Sequence, residues 1–204
     1  MIEYFLLAMA LMFVVNNVNR REQRARIALL GQYLGRYRIE SLMENLIQGY
    51  MRALGEADLQ RQASIWSMLG TAEAELCEQF NAFSQDFSGV TPALARVSKL
   101  PVALPYAAHW LASHSFDMRR AISLHAHAIA QASSAHPESP KNKAFTLMAE
   151  LLLMQHTCHW FCRSKLVASA RLLARHKTPY PKVLASVAPS TRRAYCALVG
   201  CTGS

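Results

Sequence analysis

The sequence predicts an all-α protein, in which an N-terminal hydrophobic, membrane-anchoring helix is followed by a helical bundle of about five or six helices. Three observations lead to this fold class. Residues 4–15 are apolar without interruption, apolar side chains recur at three- and four-residue steps further along, and no segment shows the alternation typical of strands. Apolar residues make up 52% of the chain and charged residues 17%, against roughly 25% charged in a typical soluble domain. This balance is typical of a protein that contacts a membrane or is buried against a partner.

The apolar stretch near the N-terminus predicts a single-span anchor over residues 1–18. As a helix, these residues rise about 27 Å, slightly less than the roughly 30 Å core of a bilayer. The stretch is apolar on all sides and lacks the polar face of a helix that lies on the membrane surface. The side chains expected to contact lipid are Tyr4, Phe5, Leu6, Leu7, Leu11, Phe13, Val14 and Val15.

Two other interpretations of this stretch remain open. A run of this length also fits a helix that is buried in the protein's own core or docked on a partner. A cleaved signal peptide fits less well, because the only charged side chain before the run is the acidic Glu3 and residues 15–18 contain no small-residue cleavage site.

An arginine-rich segment follows the apolar stretch and suggests an orientation. Arg20, Arg21, Arg24 and Arg26 are expected to contact anionic lipid headgroups or a partner, at about 1 kcal/mol for each basic residue close to the surface. Basic residues flank the cytoplasmic side of membrane spans. The expected localisation is therefore a single-pass membrane protein with its C-terminal domain in the cytoplasm. The five cysteines lack the spacing of a disulfide framework and are expected to be reduced, as they would be in that compartment.

Residues 19–57 are predicted to form a basic neck and an amphipathic helix. Ile27, Leu30 and Leu34 begin an apolar stripe with helical spacing, and no proline interrupts this part of the chain. The anchor and this segment are therefore expected to form one long helix that ends near Gly55.

Residues 58–204 are predicted to form the bundle domain, with a basic C-terminal part. Its first helix is expected to begin after an N-cap at Asp58 and to end at Gly89, and a short helix is expected from Thr91-Pro92. A helix opened by Pro105 should run through Leu111, followed by a bend at Ser113–Asp117, a helix at Met118–Ala135 and a loop at 136–140. The last elements expected are a helix from about Asn142 to His176 and a short helix at Ser190–Val199 capped by Ser190. The side chains expected to be buried are Leu69, Leu76, Phe80, Phe83, Leu151, Cys158, Cys162 and Leu166.

One segment combines metal-capable side chains, but packing explains it better. His156, Cys158, His159 and Cys162 could supply zinc ligands from one helix, yet their spacing matches no standard zinc pattern. Both cysteines share a face with leucines, and free cysteine is among the most buried residue types. No metal or cofactor is therefore expected. The paired histidines elsewhere point apart on a helix and are expected at the surface or partly buried, namely His109 with His114 and His125 with His127.

The charges are separated along the chain. Residues 40–90 carry eight acids against two arginines, whereas residues 141–204 carry ten Lys or Arg against one acid. The acidic middle could dock on the basic C-terminal part, or the basic face could stay free for lipid or nucleic acid. The side chains of that basic face are Arg163, Lys165, Arg171, Arg175 and Lys177.

No catalytic signature accompanies these features. A nucleophile elbow, a glycine-rich phosphate loop and a pair of converging acids are all missing from the sequence. The leading expectation is a non-enzymatic, membrane-anchored scaffold or interaction protein, a subunit of a membrane-associated assembly whose partners are other proteins and membrane lipids. The alternatives are a soluble helical protein that binds nucleic acid through the basic face and, third, a helical bundle that binds a metal or haem.

Overall fold

The computed structural model describes residues 1–135 and 139–201, and it confirms the all-α class. Within these residues the chain is helical apart from one 3₁₀ turn, two three-residue strands and short connections. The helices are α1 (Ile2–Leu34), α2 (Ile39–Gly55), α3 (Leu59–Ser88), α4 (Pro92–Ala95), α5 (Ala107–Trp110), α6 (Met118–Ser134), α7 (Pro140–Cys162), α8 (Lys165–His176), α9 (Tyr180–Ser186) and α10 (Pro189–Val199). The strands are β1 (Arg96–Ser98) and β2 (Ser115–Asp117), and the 3₁₀ turn is Ala112–His114. The first three positions of the loop predicted at 136–140 lie outside the described residues.

The body is built around α2, α3, α6 and α7, and α1 packs against α3 and α7. The Arg26 Nη1 of α1 donates to the Phe161 carbonyl of α7 over 3.2 Å, and the Phe87 ring of α3 lies 6.3 Å from the Phe161 ring. About 27 Å of helix away from Phe161, at roughly 1.5 Å per residue, Lys143 of α7 forms an ion pair of 2.6 Å with Glu73 of α3. We call the end of the body beside residues 19–26 the proximal end and the end beside Lys143 the distal end.

The expected single helix through Gly55 is wrong, because the chain turns at residues 35–38. A Cβ at Gly35 would lie 2.8 Å from the Gly31 carbonyl oxygen, so a larger residue would crowd the end of α1. Contacts with α3 hold the turn: the Tyr37 hydroxyl donates to Asp86 over 2.7 Å, and the Arg38 amide donates to the Gln79 side chain over 3.2 Å. The turn folds α2 against α3 and α7.

The expected helix from Asn142 to His176 is also wrong, because it breaks after Cys162. The Ser164 side chain caps α8 by accepting from the Val167 amide over 3.3 Å, and α8 folds back along α7. This reversal exposes 59% of Leu166, so the expected burial of that side chain is wrong. Cys162 is only partly buried.

The other expected core side chains are buried, as predicted for Leu69, Leu76, Phe80, Phe83, Leu151 and Cys158. The predicted ends of α3 are also correct. The Asp58 carboxylate accepts from the amides of Gln60 and Arg61 over 2.9 and 3.0 Å, and Gly89 follows the last helical residue.

The two strands were not expected, because three residues are too few for a periodic signal. They pair antiparallel, with Val97 opposite Phe116, and both of these side chains are buried. The ladder closes residues 99–111 into a compact segment at the proximal end, which we call the proximal loop. Its helix α5 begins at Ala107, after Tyr106 in a left-handed conformation at φ 54°, rather than at Pro105.

The C-terminal part differs from expectation in three details. Helix α9 was not predicted, and α10 begins at Pro189 with Ala188 as its cap, so Ser190 does not cap it. The structure joins Cys196 and Cys201 in a disulfide. The structure describes this pair in its oxidised form, whereas the sequence predicts five reduced thiols.

Candidate membrane anchor

The N-terminal half of α1 extends away from the body. Every residue from Met1 to Asn17 is exposed, and α1 is long and apolar enough to cross a membrane. All eight side chains predicted to contact lipid are exposed, by 39% for Val15 and by 78% for Tyr4. In this structure the apolar stretch is therefore not part of the protein's own core.

The segment just after the apolar stretch fixes α1 to the proximal end of the body. The Asn19 side-chain amide donates to the Ala103 carbonyl over 3.3 Å, and the Tyr106 backbone amide donates to the Glu22 carboxylate over 2.8 Å. Arg163 of the body donates to the Gln23 side chain over 2.7 Å. The anchor is therefore connected to the body by side-chain contacts as well as by the chain itself.

The predicted basic neck separates into two groups. Arg26 faces the body, where it forms an ion pair of 2.7 Å with Glu22 and lies 5.6 Å from the centre of the Phe161 ring. Arg20, Arg21 and Arg24 are exposed, and none of them forms an ion pair within the described part of the chain. The second group can still reach anionic headgroups, whereas Arg26 is engaged in holding α1 on the body.

The predicted basic C-terminal face comes together only in part, because Arg163, Arg171 and Arg175 line one groove and Lys165 lies elsewhere. Arg163 is turned toward α1, and the Lys165 ammonium lies 5.2 and 5.4 Å from the ring centres of Trp160 and Tyr180. Arg175 lies 3.7 Å from the Glu44 carboxylate. The remaining two members, Arg171 and Lys177, are exposed.

The acidic middle of the chain forms ion pairs with basic residues that precede it and with basic residues that follow it in the sequence. Glu73 and Glu44 pair with Lys143 and Arg175 of the C-terminal part, while Glu75 and Asp86 pair with the arginines that follow α1, Arg38 and Arg36. Both the neck and the basic C-terminal part thus supply partners for these acids.

A groove of about 590 Å³ runs between α1, α2, α7 and α8. Its apolar lining includes Leu30, Met43 and Met154. The lining also contains two acids of α2 and two arginines of α8, namely Glu40, Glu44, Arg171 and Arg175, and the pair of Glu44 with Arg175 joins the two helices. The groove therefore combines apolar side chains with charged side chains of both signs.

The four weak metal candidates do not converge. His156 lies on another side of α7, where its Nε2 atom is 3.0 Å from the Ser169 hydroxyl and its ring stacks on Tyr180 with centroids 4.3 Å apart. The Cys158 thiol contacts the Met154 sulfur at 3.7 Å. Among the described residues, no group of three or more His, Cys, Asp or Glu side chains is placed to hold a metal ion.

Burial also keeps these side chains in their neutral forms. It raises the pKa of the Cys158 thiol well above its usual range and that of Cys162 to about 11, so neither is a thiolate near neutral pH. Burial lowers the pKa of the His156 imidazole to about 3, and the nearby charge of Lys165 contributes in the same direction. Packing accounts for both thiols and for this imidazole.

A buried polar cluster around His125 was missed by the sequence reasoning, which placed this residue at the surface or partly buried. The His125 Nε2 atom and the Tyr195 hydroxyl each lie 3.0 Å from the Thr157 hydroxyl, and all three residues are fully buried. Burial lowers the pKa of His125 to about 3. The signal was present in α6, because His125 continues the stripe of Met118, Ile122 and Ile129, all of which face the core.

This cluster is a structural element rather than a reactive one. The Thr157 hydroxyl donates to the Leu153 carbonyl over 2.9 Å, so its proton is already engaged. Because the cluster is closed to solvent, a substrate has no path to its imidazole. The exposed apolar part of α1 and the groove are open to other molecules, whereas the buried cluster is not.

Comparison of the chain with protein-family models, with curated proteins and with solved structures gives no match. The structure by itself defines the class of protein: a helical body attached to an exposed apolar helix that is long enough to cross a membrane.

Proposed function

We propose that this protein is a non-enzymatic, membrane-anchored interaction protein, in which α1 spans the bilayer and holds the helical body at the membrane surface as a subunit of a larger assembly. The observation that carries the proposal is that every residue from 1 to 17 is exposed. Transfer of a fully exposed Leu or Phe side chain from water to an apolar environment is favourable by about 1.5–3 kcal/mol. A stretch of such side chains therefore favours a membrane as its surroundings.

The charge pattern supports a cytoplasmic body. The exposed arginines Arg20, Arg21 and Arg24 lie directly after the apolar stretch, and basic residues in this position favour the cytoplasmic side. At the other end of the stretch the only charged side chain is Glu3. The N-terminus is therefore expected on the opposite side of the membrane.

The groove supports the interaction part of the proposal. Its apolar lining with sulfur-containing side chains and its charged side chains of both signs suit a partner's amphipathic segment, because methionine adapts its shape to a binding surface. Such a partner would be presented to the groove at the membrane surface, where the anchor raises its local concentration.

Membrane fractionation tests the anchor. Full-length protein should stay in the membrane fraction after washes with high salt and with carbonate, and a chain starting at Asn19 should be released. Leu7→Arg together with Leu11→Arg should also release the protein, because each arginine near the centre of a span costs about 2.5–3.5 kcal/mol. Ala28→Arg, an exposed position of α1 outside the stretch, is the matched control and should remain bound. Release of the unmodified full-length protein would overturn the proposal.

The disulfide pair tests the topology independently. Disulfides rarely persist in a reducing cytoplasm, so a cytoplasmic body requires Cys196 and Cys201 to be thiols in cells. Alkylation of denatured protein, after rapid acid quenching of the cells, should therefore modify both. The matched control is the same protein after deliberate oxidation, in which both should resist alkylation. Protection in freshly quenched cells would place the body on the other side of the membrane.

A further inference from the structure

The proximal loop exposes several large apolar side chains on one end of the body. Trp110 is 84% exposed, and Leu104 and Tyr106 are each 50% exposed. Two more members, Val102 and Leu111, are 48% and 42% exposed. Isolated apolar side chains are ordinary on a protein surface, but a cluster of this kind marks a surface that contacts something else.

The structure places this loop at the level where α1 leaves the apolar stretch. Its Ala103 carbonyl and Tyr106 amide are hydrogen-bonded to Asn19 and Glu22 of α1. Asn19 and Glu22 follow Val18, the last residue of the predicted span, by one and four residues, so the two contacts lie within about 6 Å along the helix axis from the end of the span. If α1 spans the bilayer, the loop lies in the headgroup region beside it.

The start of α8 extends the same apolar surface. The Leu166 amide donates to the Pro101 carbonyl over 2.9 Å, which fixes the beginning of α8 against the proximal loop. Leu166 is 59% exposed and Val167 is 38% exposed. The apolar surface thus comes from two separate segments that the fold brings together.

The charges around this surface suit anionic headgroups. Only two acids occur in residues 19–26 and 96–120, and both are neutralised by ion pairs: Glu22 with Arg26, and Asp117 with Arg119. The exposed arginines of the neck lie on the same end of the molecule. Tryptophan and tyrosine are also the residues most enriched at membrane interfaces.

The length of the span provides an independent reason for close approach. The segment of α1 from Ile2 to Val18 rises about 26 Å, a few ångströms less than the bilayer core. A short span draws its flanking residues toward the lipid or thins the bilayer locally. Apolar side chains of the proximal loop, placed next to the end of the span, compensate for this short length when they are drawn into the lipid.

We propose that the proximal loop is a second membrane contact, which inserts Trp110, Tyr106 and Leu104 into the lipid interface of the leaflet from which α1 emerges. The body is thereby held in one orientation, with its long helices pointing away from the bilayer. The inference rests on the proposed anchoring by α1, because the anchor sets the height of the loop.

Tryptophan quenching by lipid tests this contact in the full-length protein. The protein is reconstituted into vesicles of phosphatidylcholine and phosphatidylglycerol whose acyl chains are brominated near the headgroup end. Trp110 should be quenched, so the fraction of tryptophan emission lost to the brominated lipid should fall by at least half in Trp110→Phe.

Trp66 provides the matched control. Its ring lies 6.0 Å from that of Tyr50, whose hydroxyl is bonded to Glu73 at the distal end. Trp66→Phe should leave the lipid-dependent quenching of the protein intact, because the removed ring lies about 31 Å of helix away from Phe87 at the proximal end.

The outcomes separate the two proposals. If the protein does not stay with the vesicles after a carbonate wash, both the anchor and this contact fail. If it stays but Trp110→Phe leaves the quenching unchanged, the anchor stands and the loop contact is refuted. Trp110 would then be exposed for a different purpose, such as a protein partner.

Discussion

Acid should destabilise the body through two buried imidazoles, His125 and His156. Both are fully buried, and burial lowers the pKa of each from 6.5 to about 3. In the unfolded chain both bind protons as the pH falls below 6.5, whereas in the folded chain neither does until about pH 3. The two groups therefore leave stability intact above pH 6.5 and reduce it progressively as the pH falls toward 3.

The size of the effect follows from the linkage between protonation and folding. Each pH unit below 6.5 removes about 1.4 kcal/mol per group, so at pH 5 each histidine removes about 2 kcal/mol. Together they remove about 4 kcal/mol, a large part of the 5–15 kcal/mol that typically separates folded and unfolded states. Glu150 acts in the opposite direction, because burial raises the pKa of its carboxyl. The folded chain therefore binds this proton at a higher pH than the unfolded chain does, and this group adds stability as the pH falls.

A difference between variants isolates each histidine from such other groups. The free energy of unfolding is measured by urea titration of the full-length protein in detergent micelles at pH 7.5 and pH 5, following the tryptophan fluorescence, to which the buried Trp160 contributes. His125→Gln keeps a hydrogen-bonding group near Thr157 but does not titrate. It should lose about 2 kcal/mol less than the unmodified protein between the two pH values.

His127→Gln is the matched control, because His127 lies on the same helix and is exposed. It should follow the unmodified protein at both pH values. The argument from burial is refuted if His125→Gln retains the full pH dependence, whatever its stability at pH 7.5.

Two further predictions concern α3. Phe83→Ala should lower the free energy of unfolding by about 3–5 kcal/mol, because Phe83 is fully buried among Phe80, Phe87 and Tyr37 at ring distances of 5.5, 5.7 and 6.1 Å. Urea titration measures this loss of stability, and a loss below about 1 kcal/mol would show that this cluster is not packed as described. Asp58→Ala should lower the free energy of unfolding by about 1 kcal/mol, because it removes the N-cap of α3. Asp58→Asn should lower it by only a few tenths of a kcal/mol, because asparagine also caps helices. Equal losses of stability for the two variants would show that the cap contributes little.

Much of the fold could be predicted because its signals are local. The caps of α3, the short helix after Thr91 and the buried aromatic face of α3 depend on side chains close together in sequence. The continuity of α1 with α2 and of α7 with α8 could not be predicted in the same way. Both reversals depend on long-range contacts, such as Tyr37 with Asp86 and Leu166 with Pro101, and neither contains a proline.

The candidate site was predicted only where it is local as well. An apolar stretch followed by arginines is visible in the sequence, and the structure leaves it exposed. Which arginine faces the body was not visible, because Arg26 is engaged by Phe161, which lies far along the chain. The buried position of His125 was available in the stripe of α6 but was outweighed by the rule that histidine pairs usually lie at the surface.

The exposed apolar residues of the body form a pattern that the proposed membrane anchor explains. A body that moved freely in water would gain by hiding Trp110, Leu104 and Leu166, yet the fold holds all three at the end where α1 enters. The burial of Trp160, hydrogen-bonded to Ser98 directly below this surface, shows that the same end also has a packed interior. Exposure on an ordered scaffold is what a fixed contact with the lipid interface requires, because the side chains need no rearrangement before they insert.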